Sequence, residues 1–340
     1  MNAVRAALDT REQNKQTHMQ KIAVLTSGGD APGMNAAVRA IVRTALYHNM
    51  EVFGVKYGYK GLIENELFQM GSRDVANIIQ RGGTVLKTAR SKEFMTKEGR
   101  QKAAEHLKEN GIEGLVVIGG DGSFKGAETL EQEHGIKVIG VPGTIDRDIA
   151  GTEYTIGFDT AVNTAMEAID KIRDTAAAHE RLFVVEVMGR DAGYIALNSG
   201  IATGAEEILV PERITNVERV VQLINYDQKR KKNVHIIVVA EGDGFGADAL
   251  TEILAKKYPE MEVRLSVLGH MQRGGSPTYY DRVQASKMGY HAVLGLRAGK
   301  TGVMVGLQKN EIVFVNFGEG CKKHLEINQE MLDMVKVLSQ

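Results

Sequence analysis

Two glycine-rich loops combine a backbone that can approach an anion with an acidic side chain. The segment SGGDAPGMN, residues 27–35, follows an apolar run and opens a helical pattern. Its free N–H groups at a helix N-terminus suit a nucleotide phosphate, although a tight turn without a ligand is an open alternative. The segment GGDGSFKG, residues 119–126, places Asp121 among its glycines. Because a carboxylate beside phosphates normally implies a divalent cation, we expect Asp121 to bind Mg²⁺, directly or through water.

A pair of carboxylates follows a third apolar run. In PGTIDRD, residues 142–148, Asp146 and Asp148 are two positions apart. In an extended segment both would point to one face, and the Arg147 side chain between them would point away. One carboxylate could accept a hydroxyl proton while the other orients a metal or the base. Two aspartates that only cap or solvate the loop are an equally open interpretation.

Basic residues follow two more runs of the same kind. Arg190 lies in GRDAG, residues 189–193, and Arg273 lies in HMQRGG, residues 270–275. A guanidinium at such a position can donate hydrogen bonds to two phosphate oxygens at once. Further basic points are Arg39 and Arg43, one helical turn apart, with Arg173, Arg230 and Lys232. Solvated helix faces would explain these last charges equally well.

The elements that must position these loops can be predicted from periodicity. Six β-branched apolar runs end in the segments IAVLTSGGD, LVVIGGDG, VIGVPGTID, FVVEVMGRD, IIVVAEGDG and LSVLGHMQRGG. Runs of this kind are typical of parallel strands covered by helices on both faces. Helical spacing separates them at residues 99–110, 160–181 and 281–296. The pattern predicts an open α/β sheet with right-handed crossovers and ligand-binding loops at the carboxyl ends of its strands.

Composition excludes several classes of protein. A formal net charge of -1, from 42 basic and 43 acidic residues, gives no general field for nucleic acid or an anionic membrane. No apolar run reaches the roughly 18 residues of a membrane span. Cys321 is the single cysteine, which fits a reducing cytosol. Residues 1–18 carry no secretory or transit pattern and are interpreted as an extension or leader, expected to be disordered.

Nine motifs occur in one order between about Lys21 and Gly320: TSGGDAPGMN, RGGT, GGDGS, PGTID-x-D, TIGFDTA, IDKIRDTA, VMGR, AEG and GHMQRGGSP. In content and order they resemble the bacterial ATP-dependent 6-phosphofructokinases. The resemblance implies two doubly wound α/β domains, with the active site in the cleft between them, assembled as a homotetramer. It implies an ATP-binding domain of residues 19–157 plus 272–322. Residues 158–271 plus 323–340 would form the fructose 6-phosphate-binding domain.

The resemblance implies a cytoplasmic glycolytic kinase that moves the γ-phosphate of Mg·ATP to the 1-hydroxyl of fructose 6-phosphate. It places against ATP the residues Gly29, Tyr59, Arg90, Ser91, Gly120, Asp121, Gly122, Ser123 and Gly126, with Asp121 as the metal ligand. Pyrophosphate-using relatives carry Asp in place of Gly122 and Lys in place of Gly143. Because both positions are glycine here, the resemblance implies ATP as the donor.

The sugar phosphate would be held by a second group of residues. Within one subunit these are Thr144, Ile145, Asp146, Met188, Gly189, Arg190, Glu241, His270 and Arg273, and from a neighbouring subunit Arg181 and Arg264. Asp146 resembles the base that takes the 1-hydroxyl proton, and Asp148 would support the metal and the loop. Arg90 and Arg190, with Mg²⁺, would stabilise charge on the transferred group. Thr144 belongs to the same catalytic set.

One departure concerns the base. The family usually reads TIDND, whereas this chain has Arg147 between the two aspartates. At roughly 7 Å and an effective dielectric of about 40, its charge would favour ionised Asp146 by on the order of 1 kcal/mol, slightly under one pKa unit. The sequence therefore predicts an active enzyme with a moderately weakened base.

Another departure concerns regulation. The family's effector site for ADP or phosphoenolpyruvate resembles Arg39, Arg43, Arg173, Glu206, Arg230 and Lys232, a basic pocket between subunits. Ser72, Asn77, Asn233 and Val234 stand where the family usually has Arg, Asp, Lys and His. These changes predict weakened allosteric control.

Two other functions fit part of the sequence. Arg147 beside the base motivates a catalytically impaired sensor of sugar phosphates or nucleotides with the same fold. The GGDGS loop alone would fit a kinase of the diacylglycerol or NAD type, whose acceptor would not need Arg190, Glu241 and Arg273. The tempting GKT at residues 299–301 is predicted to be a turn, because Gly295 is one residue too close for a Walker A loop.

Overall fold

The structure is a computed structural model that describes residues 19–179, 181–232, 234–320 and 327–338, without the side chain of Lys336. The predicted N-terminal extension, Asn233 and Cys321 lie outside the described residues. Contacts divide the chain into two units. The first comprises residues 19–143, Ile149–Ile156 and residues 279–320, and the second comprises Thr144–Asp148, Gly157–Thr278 and residues 327–338, with the gaps given above. Residues 144–148 and 272–278 thus group with the second unit, whereas the sequence placed them in the ATP-binding domain.

The first unit contains a seven-stranded mixed sheet with the strand order β11-β10-β5-β4-β1-β2-β3. Its strands are β1 (Lys21–Thr26), β2 (Glu51–Val55), β3 (Leu67–Gln69), β4 (Gly114–Gly119), β5 (Lys137–Pro142), β10 (Val303–Gln308) and β11 (Glu311–Asn316). The strands from β10 to β2 are parallel, and the edge strands β3 and β11 pair antiparallel. The buried faces of β1 and β4 pack in one apolar core with helix side chains such as Phe124 and Leu130.

The helices of this unit are α1 (Met34–Tyr47), α2 (Gly58–Ile63), α3 (Lys97–Glu109), α4 (Asp121–His134), α9 (Tyr279–Arg297) and the short α10 (Phe317–Gly320). Helices α1 and α9 pack against each other. The GKT segment is a turn, as predicted. Gly299, two residues beyond the end of α9, has φ +78°. The Thr301 hydroxyl donates to Glu131 at 2.5 Å and accepts the Val138 N–H at 2.9 Å.

The second unit contains a four-stranded parallel sheet with the order β7-β8-β6-β9. Its strands are β6 (Leu182–Val187), β7 (Glu207–Leu209), β8 (His235–Ala240) and β9 (Val263–Val267). Its helices are α5 (Phe158–His179), α6 (Tyr194–Thr203), α7 (Val217–Lys229), α8 (Ala247–Lys257) and α11 (Gln329–Leu338). Among the described residues, no helix is long and apolar enough to cross a membrane.

All six apolar runs form the parallel strands that the sequence predicts, and the three helical patterns form α3, α5 and α9 within about two residues at each end. Strands β2, β3, β7, β10 and β11 were not predicted. The β10–β11 hairpin turns at Lys309 and Asn310, which have φ +49° and +65°. A left-handed Lys-Asn pair is a weaker hairpin signal than Asn-Gly.

Candidate active site

The two glycine loops of the first unit lie side by side because their strands do. Strands β1 and β4 are adjacent and parallel, and the Ser27 N–H donates to the Ile118 carbonyl at 2.9 Å. The loops touch at Ser123: a Cβ added at Gly28 would lie 3.4 Å from its Oγ. Gly28 has φ +84°, a conformation that glycine adopts without strain. Gly28 and Gly29 are exposed, so their backbone is open to a ligand.

Hydrogen bonds join the RGGT loop, residues 81–84, and the residues after it to the first glycine loop. The Thr26 hydroxyl donates to the Lys87 carbonyl at 2.9 Å, and the Thr88 hydroxyl donates to the Gly28 carbonyl at 2.8 Å. Asn35, at the start of α1, fixes the loop further through the Arg81 carbonyl and the Val85 N–H. These bonds bring the segment that carries Arg90 to the first glycine loop, with the Arg90 side chain exposed.

Tyr59 and Ser91 take part in the packing beside the second glycine loop, residues 119–126. The buried Tyr59 hydroxyl donates to the Ser123 carbonyl at 2.5 Å, and burial raises its pKa above the usual range. The Tyr59 ring stacks on Phe94 with the ring centroids 3.9 Å apart. A Cβ at Gly126 would lie 3.2 Å from both rings. The Ser91 hydroxyl accepts the Phe94 N–H at 3.2 Å. The Tyr59 hydroxyl is therefore already engaged, and its buried ring packs against Phe94 and Gly126.

Asp121 is half-buried at the first residue of α4, and Gly120 precedes it as the N-cap. A Cβ at Gly122 would meet nothing within 4 Å, so this side of the loop is open. No group of three or more His, Cys, Asp or Glu side chains able to hold a metal occurs among the described residues. A single carboxylate in an open phosphate loop fits Mg²⁺ that arrives on a nucleotide, because Mg²⁺ keeps phosphate and water ligands.

Asp146 is the most perturbed carboxylate of the second unit. It is 6% exposed, and its N–H donates to the Thr144 hydroxyl at 3.2 Å. Burial, followed by the neighbouring charge of Asp148, raises the pKa of Asp146 to about 6. Arg273 and Arg190 act in the opposite sense, and Glu241 adds to the rise. A carboxylate with this pKa is ionised at neutral pH and is a stronger base than an ordinary aspartate. Ile145, the neighbouring predicted site residue, is completely buried.

The prediction of an extended segment around Arg147 is wrong. Arg147 has φ +54°, in the left-handed region, and its guanidinium carbon lies 5.3 Å from the ring centroids of both Phe158 and Tyr194. An L-residue other than Gly, Asn or Asp in this region costs about 1 kcal/mol. The predicted lowering of the pKa of Asp146 is also wrong. Burial, the largest influence, and the charge of Asp148 instead raise that pKa to about 6.

Glu241 holds the turn that carries Gly189 and Arg190. Its Oε1 accepts the Arg190 N–H at 2.7 Å and the Gly189 N–H at 3.2 Å. Gly189 has φ +148°, and a Cβ there would lie 2.3 Å from the Ala192 carbonyl oxygen, so this position requires glycine. The turn presents the exposed Arg190 side chain beyond the end of β6. Glu241 therefore contributes to the site at least by positioning.

Gln272, which the sequence analysis did not single out, connects two predicted segments. It is fully buried, and its side-chain oxygen accepts the Met188 N–H at 2.9 Å. Met188 itself is 7% exposed. Gln272 belongs to a 3₁₀ turn, Gly269–Arg273, that also carries the exposed His270 and the half-buried Arg273. The structure thus gathers Asp146, Arg190, Glu241 and Arg273 in the second unit.

Arg181 and Arg264 belong to the opposite end of the sheet. Arg181 directly precedes β6, and Arg264 pairs with Phe183 near the starts of β6 and β9. Both guanidinium groups bind the Glu262 carboxylate, which lowers the pKa of Glu262. Strand β6 has six residues, so Arg181 and Arg190 are about 20 Å apart at about 3.3 Å per residue. These two arginines cannot serve the same subunit's Arg190 site.

Three of the predicted effector residues meet in the second unit. Lys232 Nζ lies 3.2 Å from Glu206 and 3.4 Å from Asp227, and Arg173 lies 3.7 Å from Glu206. Arg173 also donates to the carbonyls of residues 203 and 204 at 2.8 and 2.9 Å. His235, fully buried and missed from the sequence, lies 3.4 Å from Asp227, and burial lowers its pKa.

The other three predicted effector residues are more open. Arg230 is exposed, with its guanidinium 5.3 Å from the Tyr226 ring centroid. Arg39 and Arg43 belong to α1 of the first unit, and burial together with Arg43 lowers the pKa of Arg39. The adjacent positive charges on α1 would be relieved by an anion.

Known proteins similar to this chain share its fold and most of its length. A family model described as Phosphofructokinase matches residues 21–296. ATP-dependent 6-phosphofructokinase 1 of Thermus thermophilus is 54% identical over 321 residues, which is 94% of this chain and 100% of the relative. ATP-dependent 6-phosphofructokinase of Shouchella clausii is 55% identical with the same coverage. A solved phosphofructokinase from Saccharomyces cerevisiae matches with a TM-score of 0.85 and 36% identity, covering 89% of this chain and 45% of the yeast chain.

Proposed function

Because this chain belongs to the phosphofructokinase family, we propose that it phosphorylates fructose 6-phosphate with ATP. The product is fructose 1,6-bisphosphate, and the reaction is the committed step of glycolysis. Curated relatives at 50–55% identity carry the name ATP-dependent 6-phosphofructokinase. The first unit binds ATP and the second binds the sugar phosphate.

The buried Asp146 carboxylate is the observation that carries this proposal. With a pKa of about 6, it is ionised at cytoplasmic pH and can accept the proton of the 1-hydroxyl as that oxygen attacks. Asp148 keeps the pKa high, while Arg190 and Arg273 prevent it from rising further. This balance gives a base that is both charged and basic near neutral pH.

The remaining roles follow from charge and position. Phosphoryl transfer depends mainly on positioning and neutralisation of charge, so cations matter more than covalent chemistry. Arg190 and Arg90 stabilise the transferred group, and Arg273 and His270 bind the sugar phosphate. Glu241 positions Arg190 through its backbone. Thr144 supports the turn that carries the base.

Asp121 would hold Mg²⁺ together with the phosphates of ATP. Bound there, Mg²⁺ supplies neutralisation of the phosphate oxygens. The exposed backbone of Gly28 and Gly29 and the open side of Gly122 support a nucleotide in the same loops. Gly126, which has no Cβ, lets the buried Tyr59 and Phe94 rings pack closely against the helix that follows this loop.

A homotetramer is part of the proposal, because Arg181 and Arg264 lie too far from Arg190 to serve the same subunit. Arg181 and Arg264 of each subunit would complete the sugar-phosphate site of a neighbouring subunit. We also propose that the protein is cytoplasmic and that it responds weakly to ADP or phosphoenolpyruvate.

The alternative functions are not favoured. The sensor interpretation rested on a base weakened by Arg147, whereas the pKa of Asp146 is raised to about 6 rather than lowered. The diacylglycerol or NAD kinase interpretation rested on one loop, whereas the family match spans residues 21–296. A substrate screen separates the three: purified protein with Mg·ATP and fructose 6-phosphate should form fructose 1,6-bisphosphate. Diacylglycerol and NAD should give no ADP release above background, and turnover of either in preference to the sugar phosphate would overturn the assignment.

A further inference from the structure

Arg147 occupies a place that its conformation disfavours. Its φ of +54° suits asparagine or glycine better than arginine, and its Nε is buried with no hydrogen-bond partner. The side chain is nevertheless half-buried rather than extended into solvent. Some other contact must hold it there.

That contact is a pair of aromatic rings. The guanidinium carbon is 5.3 Å from the Phe158 ring centroid and 5.3 Å from the Tyr194 ring centroid. A planar guanidinium can interact with aromatic faces through both its charge and its plane. The cation is close to the starts of two helices, where the helix dipoles disfavour positive charge. The contacts with the two rings therefore stabilise this side chain in its half-buried position.

The two rings belong to different elements. Phe158 is the first residue of α5 and Tyr194 is the first residue of α6. These helices pack against each other, and α6 directly follows the turn that presents Arg190. One side chain thus connects the turn of Asp146 and Asp148 with the beginnings of both helices.

We propose that Arg147 is a positioning residue, whose guanidinium between Phe158 and Tyr194 fixes the turn that carries Asp146 relative to α5 and α6. The inference deepens the proposed function and rests on it. Arg147 acts through its contacts with the two rings rather than by changing the pKa of Asp146. The largest influences on the pKa of Asp146 are burial and the charges of Asp148, Arg273, Glu241 and Arg190.

The variants separate ring contact from charge. Arg147→Asn suits the backbone but cannot reach the two rings, and Arg147→Lys keeps the charge without the planar group. Tyr194→Leu removes one ring, whereas Tyr194→Phe keeps it and serves as the matched control. Each single variant and the double variant Arg147→Asn/Tyr194→Leu are assayed for kcat, for both KM values and for kcat from pH 5 to 9.

Ring contact predicts that Arg147→Asn, Arg147→Lys and Tyr194→Leu each lower kcat about three- to tenfold. The KM for ATP and the acidic limb of the pH profile should stay in place, and Tyr194→Phe should behave as wild type. The double variant should have a kcat no lower than that of the less active single variant, because both substitutions remove the same interaction.

Three results would overturn the proposal. Wild-type kcat in Arg147→Lys, or an upward shift of the acidic limb in Arg147→Asn, would assign the effect to charge. Multiplying losses in the double variant would show that the two residues act independently. The Arg147→Lys comparison stands even if Tyr194→Leu does not fold. Absence of turnover in the wild type would overturn both the proposed function and this inference. If the wild type turns over but the kcat losses of the two single variants multiply in the double variant, only the inference is overturned.

Discussion

Arg181 and Arg190 lie beyond opposite ends of strand β6, and the six residues of the strand lie between them. That strand is about 20 Å long, so one sugar phosphate cannot contact both residues of the same chain. If both contribute to one site, they come from different subunits. The proposed oligomer would then have a catalytic role as well as a structural one.

Subunit mixing tests this arrangement. Asp146→Asn and Arg181→Ala should each be nearly inactive alone, yet a reassembled mixture should regain activity. In some hybrids a chain with intact Asp146 then lies beside a chain with intact Arg181. The matched control mixes Asp146→Asn with Arg190→Ala, whose lesions fall in the same chain's site, and should regain none. Equal recovery in both mixtures would contradict the shared site.

The donor is tested at Gly122, where a new side chain has room. We expect turnover with ATP and essentially none with pyrophosphate. Gly122→Asp should raise the KM for ATP by about tenfold or more, because one misplaced charge against a phosphate costs about 1.5–3 kcal/mol. Gly122→Ala adds the same Cβ without charge and should change that KM less than about threefold. Equal KM values for ATP in the two variants would show that the phosphates bind elsewhere.

Allosteric control should be weak. Lys232 and Arg173 are already engaged by Glu206 and by backbone carbonyls, and each lost charge-assisted phosphate contact is worth about 1.5–3 kcal/mol. Millimolar ADP or phosphoenolpyruvate should therefore shift half-saturation by fructose 6-phosphate less than about twofold. A tenfold displacement by either ligand would show that the site is intact.

The raised pKa of Asp146 also has a cost in stability. The folded-state pKa of about 6 exceeds the ordinary value of 3.8, so the folded protein retains a proton that the unfolded chain has lost between these pH values. The free energy of unfolding therefore falls as pH rises from about 4 to 6, and the loss is complete above that range.

Asp146→Asn should remove this cost. We expect the variant to be more stable at pH 8 by up to about 3 kcal/mol, the equivalent of about two pKa units. Thermal unfolding should show a rise of a few degrees at pH 8 that shrinks toward pH 5. Asp191→Asn, at an exposed aspartate, should show no such change. A lower melting temperature for Asp146→Asn at pH 8 would argue against a buried, destabilised carboxylate.

Much of the fold was predictable because strands buried on both faces leave continuous apolar runs, as in β4 and β8. Strand β2 and the β10–β11 hairpin escaped detection. Residues Glu51, Phe53 and Ile312 give β2 and β11 a partly exposed, less continuous pattern. Strand β10 is buried over its first five residues, and its parallel pairing with β5 joins residues far apart in the chain.

The candidate site, like the fold, could be predicted only in part from the sequence. Asp146 and Arg190 could be singled out by residue type and loop position, whereas Glu241 came only from the family resemblance, which also implied the roles of all three. The buried contact of Gln272 with Met188 joins residues 84 positions apart, and no local pattern encodes it. The conformation of Arg147 was mispredicted because two rings distant in sequence stabilise a backbone geometry that arginine alone disfavours.

Steady-state formation of fructose 1,6-bisphosphate tests the central claim most directly. Wild type with Mg·ATP and fructose 6-phosphate should turn over, with kcat falling on the acidic side of about pH 6 as Asp146 is protonated. Asp146→Asn should lose roughly 10²-fold or more in kcat with little change in fructose 6-phosphate affinity. Wild type without turnover, or an Asp146→Asn variant that keeps more than about half of the wild-type kcat, would contradict the account.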